Sequence, residues 1–553
     1  WQTTHMALTA DPESDISTAA APLSTPRGWA WLAGVLGAAA ALAVGELFDT
    51  LSDSVTSLVI AIGELVIDIT PGDLIAESIN TIGSLQKPLL LGGITIVSLL
   101  IGGLIGLSGR NRPMVVPATF GAFGVLGGFA GARSELTSTG ASWAVALTAA
   151  AVGAIVTLTL LAVAKNPSSG AQTDAIVPGS PLSQAADRRR FLAFGGAAVG
   201  TAAVYAGSRA GRTSAAERAR DQILAEGSAT GAESATGASP PDLPVGAFDD
   251  VEGISSFITP ISPRDEFYVI DTALSKPKVD PTNWSLTIDG EYVTNPISYS
   301  FDELISRDMI EAEVTLSCVS NPVGGSLVGN AVWRGIPLAE LLDEAGILDP
   351  SDAATQVFSR SVDGFTCGFP TPLAYDGRTA MVALEMNGEP LPIIHGFPAR
   401  LVIAGLYGYV SATKWVERIS ITDWEGVDGF WIPRNWAKEG PIKTQSRIDV
   451  PGNRASIAAG TVPIAGIAWS PTVGIERVEV SIGADGAWQE AQLAPVEHDE
   501  TWRQWKLDWP APPGDWLIQV RATDKSGFTQ SPIPVSSQPD GAEGYHTIAV
   551  RVT

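Results

Sequence analysis

Chemically reactive side chains are scarce in this sequence. Of its 553 residues only two are cysteine, Cys318 and Cys367, and four are histidine. Two cysteines exclude a disulfide scaffold, and neither lies in a CxxC or histidine-rich spacing that would bind zinc. No GxxxxGK[ST] motif is present, which argues against a P-loop nucleotide site. Any metal site in this chain must therefore use another pattern of ligands.

Positive charge is also scarce. The chain has 34 Lys and Arg against 59 Asp and Glu, a net charge of −25. Most of the excess lies in residues 241–553, which carry 21 basic and 42 acidic side chains. Because nucleic-acid binding needs a basic face, we expect no nucleic-acid partner.

Charged residues of either sign make up only 17% of the chain, and the mean hydropathy is +0.19. Four apolar runs are long enough to span a bilayer, which takes about 20 residues per helix. A fifth run is shorter and rich in small residues, like the apolar part of a signal segment. The five runs are residues 29–48, 88–107, 114–131, 142–164 and 191–207.

A further apolar stretch, residues 55–69, is interrupted by Glu64 and Asp68. Carboxylates inside a membrane cost several kcal/mol. The pattern therefore predicts an amphipathic helix on the outer surface, with a re-entrant segment as the alternative.

The loops between the runs follow the positive-inside rule, by which short cytoplasmic loops hold the Lys and Arg. Five spans then place everything after Gly207 outside the cytoplasmic membrane, as a multi-pass protein with an extracytoplasmic head. The basic residues of the inner loops are Arg27, Arg110, Arg112, Lys165, Arg188, Arg189 and Arg190.

The segment Asp187-Arg188-Arg189-Arg190-Phe191-Leu192 resembles a twin-arginine export motif. Such a signal serves a domain that folds around a cofactor before it crosses the membrane. The alternative is a plain topology anchor that only holds the inner loop in place.

The pattern after the spans changes twice. Short strand-like runs alternate with helical pieces in a first part, which predicts an α+β domain; after it, β-type runs and turn signals recur, as in an immunoglobulin-like sandwich. The fold class is therefore multi-domain: an all-α transmembrane bundle, an α+β domain and an all-β sandwich. We predict a flexible N-terminus at 1–28, a membrane domain at 29–207, a flexible tether at 208–247, a catalytic domain at 248–445 and the sandwich at 446–553.

Two places in the α+β domain could carry chemistry. Cys318 opens a glycine-containing loop that ends at Gly325, where a soft thiolate could hold a transition metal. The alternative is an inert buried thiol, which is our interpretation of Cys367. His395, Arg400 and Lys414 form a basic cluster in an acidic domain, and such a cluster suits an anionic group such as a phosphate.

Several ordered motifs together resemble the sulfite oxidase family of molybdopterin-dependent oxidoreductases, and the sheet that follows resembles the dimerisation domain of that family. The resemblance therefore allows a homodimer through the C-terminal domain. The motifs are Cys318-Val319-Ser320-Asn321, Asn330-Ala331-Val332-Trp333-Arg334-Gly335, Asn387-Gly388-Glu389-Pro390-Leu391-Pro392, His395-Gly396-Phe397-Pro398-Ala399-Arg400 and Lys414-Trp415.

The resemblance implies a molybdenum-molybdopterin cofactor with Cys318 as the protein's thiolate ligand to molybdenum and the catalytic residue. It also implies two-electron oxygen-atom transfer between Mo(IV) and Mo(VI) on a small-molecule substrate. The side chains implied to bind the pterin or its phosphate are His395, Arg400, Lys414, Asp363 and Tyr268, with the backbone of Ala412 and Thr413.

Two departures from the family pattern concern the substrate. Sulfite oxidases have arginines where this chain has Ile270 and Val323, and both help to bind the dianion. Without them we expect sulfite to be a poor substrate unless Arg334 or Arg434 reaches the site, and a neutral sulfoxide or N-oxide fits better. The alternatives are a sulfite-oxidising dehydrogenase and a non-enzymatic surface scaffold with an immunoglobulin-like module.

None of the five apolar runs contains His or Cys. Haem ligation in a helical bundle needs such side chains, so we expect no haem in the membrane domain. Electrons would then pass to or from a separate electron-transfer protein, and the acidic head would attract a cationic one.

Overall fold

The computed structural model describes residues 25–52, 55–72, 85–134, 137–165, 214–229, 259–483 and 486–553, with isolated positions between 74 and 82 and between 193 and 200. The twin-arginine-like motif, the predicted tether outside 214–229 and nearly all of the fifth predicted span lie outside the described residues. So does most of the N-terminal segment 1–28.

Four helices in the described residues are long and apolar enough to cross a membrane. They confirm the first four apolar runs as helices, and the ends of each helix lie within three residues of the predicted limits. These helices are α1 (Arg27–Leu51), α3 (Gln86–Gly109), α4 (Val115–Arg133) and α5 (Thr139–Lys165).

The chain divides into two compact units, of which the first holds residues 1–44, 95–126 and 146–207. Its helices approach each other closely through small residues. A Cβ built on Gly34 of α1 would lie 1.9 Å from the carbonyl oxygen of Gly102 in α3. Contacts of this kind are typical of helix packing in membranes, where small residues let backbones meet.

The second unit holds residues 45–94, 127–145 and 208–553. Helix α2 (Leu58–Ile69) falls in the stretch for which we predict an amphipathic helix, and the side chain of Ser57 caps its start by accepting a hydrogen bond from the Ile60 N–H. The two carboxylates of this segment, Glu64 and Asp68, both lie in the helix.

The predicted flexible tether is wrong over part of its length, because Ala215–Ala229 forms helix α6. Ser214 and Glu217 make a reciprocal capping box: the Ser214 N–H donates to the Glu217 carboxylate at 2.5 Å, and the Glu217 N–H donates to Ser214 Oγ at 3.1 Å. Arg220 then ties the helix to the following domain by donating to the Leu391 carbonyl. The Ser, Gly and Ala composition conceals these signals.

The described part of the predicted catalytic domain contains two sheets and three short α-helices. The first sheet has the order β2-β1-β10-β5-β6 and the second the order β3-β4-β7-β8, with β9 also paired to β7. The elements are β1 (Ser285–Gly290), β2 (Ile297–Ser300), α7 (Phe301–Ile305), β3 (Ile310–Ser317), β4 (Val328–Pro337), α8 (Leu338–Glu344), β5 (Thr355–Ser361), β6 (Thr366–Pro370), β7 (Ala380–Met386), β8 (Glu389–Pro390), β9 (Arg400–Ile403), α9 (Gly408–Ser411) and β10 (Val416–Asp423).

The second sheet lies in the core, since every residue of β7 and β9 is buried. Such continuous burial explains why these strands are almost wholly apolar. The loop after β3 and the connection from β9 to β10 leave this rigid core, and they carry Cys318 and Lys414.

The last residues form two further sheets around one core, to which Trp505 and Ile518 contribute from opposite sheets. The strand orders are β11-β13-β17-β16 and β12-β19-β18-β14-β15. This arrangement is compatible with the predicted sandwich. The strands are β11 (Gln445–Val450), β12 (Ser456–Ile457), β13 (Gly460–Trp469), β14 (Ile475–Ile482), β15 (Trp488–Glu490), β16 (Gln492–Leu493), β17 (Arg503–Ala511), β18 (Gly514–Asp524) and β19 (His546–Val552).

Candidate functional site

Cys318 lies where β3 ends and its loop begins. Its backbone N–H donates to the Leu327 carbonyl at 2.9 Å, which fixes the start of the loop. The thiol is free, buried and 2.9 Å from the Ser320 hydroxyl. Burial raises the pKa of this thiol and the contact with Ser320 opposes the rise. A soft metal would displace the proton and bind the thiolate.

Asn321, three residues further on, is buried, and only one of the two polar groups of its side-chain amide makes a hydrogen bond among the described residues. Its Oδ1 accepts a hydrogen bond from the Leu327 N–H at 2.9 Å. Its Nδ2 is buried and has no hydrogen-bond partner within the part of the chain that the structure describes. Buried amide donors are normally paired, so this donor is available to a bound group near Cys318.

Arg400, the first residue of β9, is a buried cation that has no carboxylate partner among the described residues. Its guanidinium lies 4.8 Å from the ring centroid of Trp333 and donates to the His395 carbonyl at 3.2 Å. No salt bridge to Arg400 occurs among the described residues. Burial lowers the pKa of Arg400 to about 10. Because an unpaired buried charge is costly, the surroundings suit an anionic ligand.

Lys414 lies beside Arg400, with which it forms an isolated antiparallel bridge. Its Nζ donates to the Asp271 carboxylate at 2.5 Å and to the Ile394 carbonyl at 3.0 Å. Burial lowers the pKa of Lys414 to about 8, against the opposing effect of Asp271. The sequence motifs identify Lys414, whereas the role of Asp271 is visible only in the structure.

His395 is held as a neutral acceptor. Its Nε2 lies 2.9 Å from the Arg264 carbonyl, which can only accept, so Nε2 carries the proton. Burial lowers the pKa of this imidazole to about 4. The remaining nitrogen, Nδ1, can accept a hydrogen bond. This chemistry suits an N–H group of a pterin better than a phosphate.

Tyr268 and Asp363 belong to the same region. The Tyr268 ring stacks on Phe267 at 5.2 Å, and a Cβ built on Gly408 would lie 4.0 Å from its hydroxyl. Asp363 is in the turn between β5 and β6, where it accepts a hydrogen bond from the Phe365 N–H at 3.2 Å. Burial raises the pKa of both side chains.

The backbone at Ala412 and Thr413 is partly engaged within the chain. The Ala412 N–H donates to the Gly408 carbonyl at 3.0 Å. The Thr413 hydroxyl lies 3.1 Å from the thiol of Cys367. Cys367 is therefore packed behind this segment, on strand β6, in agreement with its interpretation as a structural thiol.

Two residues beyond the catalytic domain contact the Cys318 loop, and the sequence motifs do not identify either. Arg447 donates to the Gly325 carbonyl at 2.8 Å. The His546 ring packs so close to Gly324 that an added Cβ would lie 2.2 Å away. The C-terminal sheets thus support the loop that carries the candidate metal ligand.

The two arginines considered for the substrate site have other partners. Arg334 on β4 forms a buried ion pair with Glu385 on β7, at 3.3 Å. Arg434 stacks on Phe430 at 3.7 Å and donates to the Phe430 carbonyl at 2.6 Å. The charge of Arg334 is therefore compensated within the second sheet.

Residues 273–431 match the family model described as the oxidoreductase molybdopterin binding domain. Human mitochondrial sulfite oxidase is 29% identical over 324 residues, which cover 50% of this chain and 58% of that enzyme. The uncharacterized oxidoreductase YuiH of Bacillus subtilis is 33% identical over 152 residues, which cover 28% of this chain and 71% of that protein. Among solved structures, the sulfane dehydrogenase SoxCD from Paracoccus pantotrophus is 23% identical with a TM-score of 0.46, over 53% of this chain and 84% of that chain.

The chain thus spans little more than half the length of human sulfite oxidase. The matched region contains Cys318, Asp363, His395, Arg400 and the segment 412–414. In the ranges that the structure describes, no three His, Cys, Asp or Glu side chains group as a metal site would require. One free thiol, an unpaired buried guanidinium and an unused amide donor fit a metal whose other ligands come with an anionic organic cofactor.

Proposed function

Because the chain belongs to the sulfite oxidase family of molybdopterin-dependent oxidoreductases, we propose that it is a membrane-anchored enzyme that transfers an oxygen atom to or from a neutral sulfoxide or N-oxide type substrate. The family membership makes it an oxidoreductase with a molybdenum cofactor. It also removes the non-enzymatic scaffold as an alternative. The substrate class, the membrane side and the partners are the proposal.

Each part of the cofactor would have its own group of residues. Cys318 would supply the thiolate to the metal, and Arg400 with Lys414 would bind the phosphate as charge-assisted donors. His395, Asp363 and Tyr268 would contact the pterin, and the segment 412–413 would line it. When bound, the cofactor supplies two-electron oxygen-atom transfer. The chain's own contribution is to orient the cofactor and to exclude water from its buried end.

The observation that best supports a neutral substrate is that two positions carry no cationic side chain. Ile270 and Val323 are both apolar, and Arg334 is already paired with Glu385. A dianion such as sulfite would lose two donors, each worth about 1.5–3 kcal/mol.

We expect the purified protein, loaded with one molybdenum per chain, to reduce methionine sulfoxide or an N-oxide with an artificial electron donor. We expect sulfite oxidation with an artificial acceptor to stay below a kcat/KM of about 10⁴ M⁻¹s⁻¹, the lower end for proficient enzymes. Steady-state assays with all three substrates on one preparation check this. Proficient sulfite turnover would contradict the proposed substrate class.

An engineered arginine tests whether the missing positive charge at position 270 is the reason for the expected poor turnover of sulfite. Ile270→Arg should raise kcat/KM for sulfite at least about tenfold, which is the effect of one charge-assisted hydrogen bond. Val269→Arg is the matched control, because Val269 is the adjacent residue and is also exposed, at 37% against 45%. An equal gain in both variants would indicate general attraction of the anion to the surface.

Sulfite oxidation remains the second candidate function, and two observations favour it. Human sulfite oxidase is similar over half of this chain. In addition, Arg447 donates to the Gly325 carbonyl, so a cation contacts the end of the loop that begins at the candidate metal ligand. Its Nε, however, is engaged by the Asp449 carboxylate at 2.7 Å.

The proposed location is the cytoplasmic membrane, with the head on the extracytoplasmic side. The loop charges support it. A further support is that the unit containing the catalytic sheets includes residues 45–94 and 127–145. These are the helix ends and loops that the charge pattern places outside.

The twin-arginine-like motif provides the test of this location. Replacing Arg188 and Arg189 together by Lys should leave the head protected from external protease in spheroplasts, because the folded head could no longer cross. The matched control replaces Arg110 and Arg112 by Lys in another inner loop. Continued protease access in the first variant would show that the pair is only a topology anchor.

The electron partner is proposed to be a separate protein. The acidic head, with 42 Asp and Glu after residue 240, supports a cationic carrier or docking domain. Salt would then weaken the association, because it screens charges between exposed surfaces.

Dimerisation through the C-terminal sheets is a further proposal, which rests on the resemblance of this region to the dimerisation domain of the family.

A further inference from the structure

Lys87 lies in the first turn of the apolar helix α3 and uses all of its donors on one short segment. Its Nζ donates to the Asp271 carbonyl at 2.7 Å, to the Ala273 carbonyl at 2.7 Å and to the Asp271 carboxylate at 3.0 Å. An ammonium group has three N–H donors. Lys87 is therefore fully committed to the segment that runs from Asp271 to Ala273.

Neither the helix nor the topology explains a lysine at this position. The start of a helix carries the positive end of its dipole, so a cation there is unfavourable. The end of α3 that carries Lys87 also lies on the proposed outer side, where the positive-inside rule predicts few lysines. The hydrogen-bond acceptors of residues 271–273 explain why a lysine is present at this position.

Asp271 connects Lys87 to the candidate cofactor site. Its side chain is only 6% exposed and accepts from three lysines: Lys87 at 3.0 Å, Lys276 at 2.5 Å and Lys414 at 2.5 Å. Burial alone would raise the pKa of this carboxyl, but the three cations together hold it below its usual range. Three ammonium groups thus surround this carboxylate, and the Asp363 carboxyl lies near enough to interact with Lys87, Lys414 and Asp271.

We propose that Lys87 is a positioning residue of the molybdenum-cofactor site, through which the membrane helix α3 holds Asp271 and thereby orients Lys414 toward the cofactor phosphate. The inference rests on the proposed cofactor role of Lys414. The same anchoring holds the backbone that follows Tyr268 and Ile270. The membrane part of the chain is then a component of the catalytic site as well as its anchor.

The direct test compares Lys87→Met with Lys87→Arg in the full-length protein. Methionine keeps the length of the side chain but removes the donors, whereas arginine keeps the charge and several donors. We expect cofactor release, followed as molybdenum and as pterin fluorescence after dilution into phosphate buffer, to be about tenfold faster in Lys87→Met. Lys87→Arg should restore most of the retention. Arg112→Met, beyond the opposite end of α3, is the matched control and should release cofactor at the native rate.

A double-mutant cycle separates positioning from general destabilisation. If Lys87 acts through Asp271 on Lys414, then Lys87→Met and Lys414→Met should not add, and the double variant should release cofactor little faster than Lys414→Met. Additive effects, or native release from Lys87→Met, would overturn the inference. If Lys87→Met does not accumulate, Lys87→Gln takes its place in the same cycle.

The spectroscopic signature of Mo(V) gives a second readout, which a purely structural role of Lys87 would leave unchanged. We expect a shifted electron paramagnetic resonance signal in the cofactor that Lys87→Met retains. A native signal there would contradict an effect on the site. The outcomes remain distinct from those for the proposed function, because a native protein without molybdenum would refute that function, whereas loaded protein with an indifferent Lys87 would refute only this inference.

Discussion

Cys318→Ala should abolish oxygen-atom transfer while most of the pterin stays bound. We expect activity to fall more than about 100-fold, beyond the 10–100-fold typical for partners outside the ligand shell. The reason is that Cys318 offers the chain's thiolate, whereas the proposed phosphate contacts at Arg400 and Lys414 lie on other segments. Pterin fluorescence and activity measured on the same preparation check both halves.

Cys367→Ala is the matched control for this experiment. Both cysteines are free and buried, and burial raises the pKa of both thiols. Cys367, however, lies 3.1 Å from the Thr413 hydroxyl and belongs to strand β6. Its loss should cost about 1 kcal/mol of stability or less and leave turnover nearly native. If the two variants behave in the opposite way, the assignment of the metal ligand is wrong.

Arg400→Met should produce a folded chain that cannot retain the cofactor. Removing a buried guanidinium without a carboxylate partner does not expose an unpaired anion, so the thermal stability of the cofactor-free protein should be unchanged or higher. The cofactor would lose a charge-assisted donor worth about 1.5–3 kcal/mol, which weakens binding about 10- to 150-fold. Molybdenum content after gel filtration and thermal unfolding of the cofactor-free protein are the two measurements.

Arg334→Met is a demanding control because the side chain of Arg334 is buried to nearly the same degree as that of Arg400. Its removal leaves Glu385 as an unpaired buried charge and should lower the free energy of unfolding by about 3–5 kcal/mol. Cofactor retention in the chains that fold should stay native. Equal cofactor loss in both arginine variants would mean that Arg400 acts through the stability of the fold alone.

The sequence alone determined the apolar helices. A run of about 20 apolar residues has few alternatives to a membrane helix, so α1, α3, α4 and α5 were predictable from composition. The strands of the last two sheets also follow their apolar and turn patterns. Helix α6 was missed because a Ser, Gly and Ala composition hides a capping box that is itself visible as Ser214 and Glu217.

The sequence motifs also identify the residues of the candidate site that are close together along the chain. Cys318 opens its loop, and His395, Arg400 and Lys414 lie within twenty residues of each other. Local spacing, however, does not show which charges are compensated. Only the structure reveals that Arg334 is paired within a sheet while Arg400 has no carboxylate partner among the described residues.

Only the tertiary structure decided which distant residues complete the candidate site. Lys87 and Asp271 are 184 positions apart, and His546 reaches the loop at Gly324 from the last strand of the chain. Hydrophobic periodicity is a property of neighbouring residues, so it specifies helices and strands. Ion pairs between remote segments depend on how those elements pack. The sequence therefore determined the elements and pointed to Cys318 as the proposed thiol ligand, and the fold decided that a lysine of an apolar helix holds Asp271 beside the proposed phosphate site.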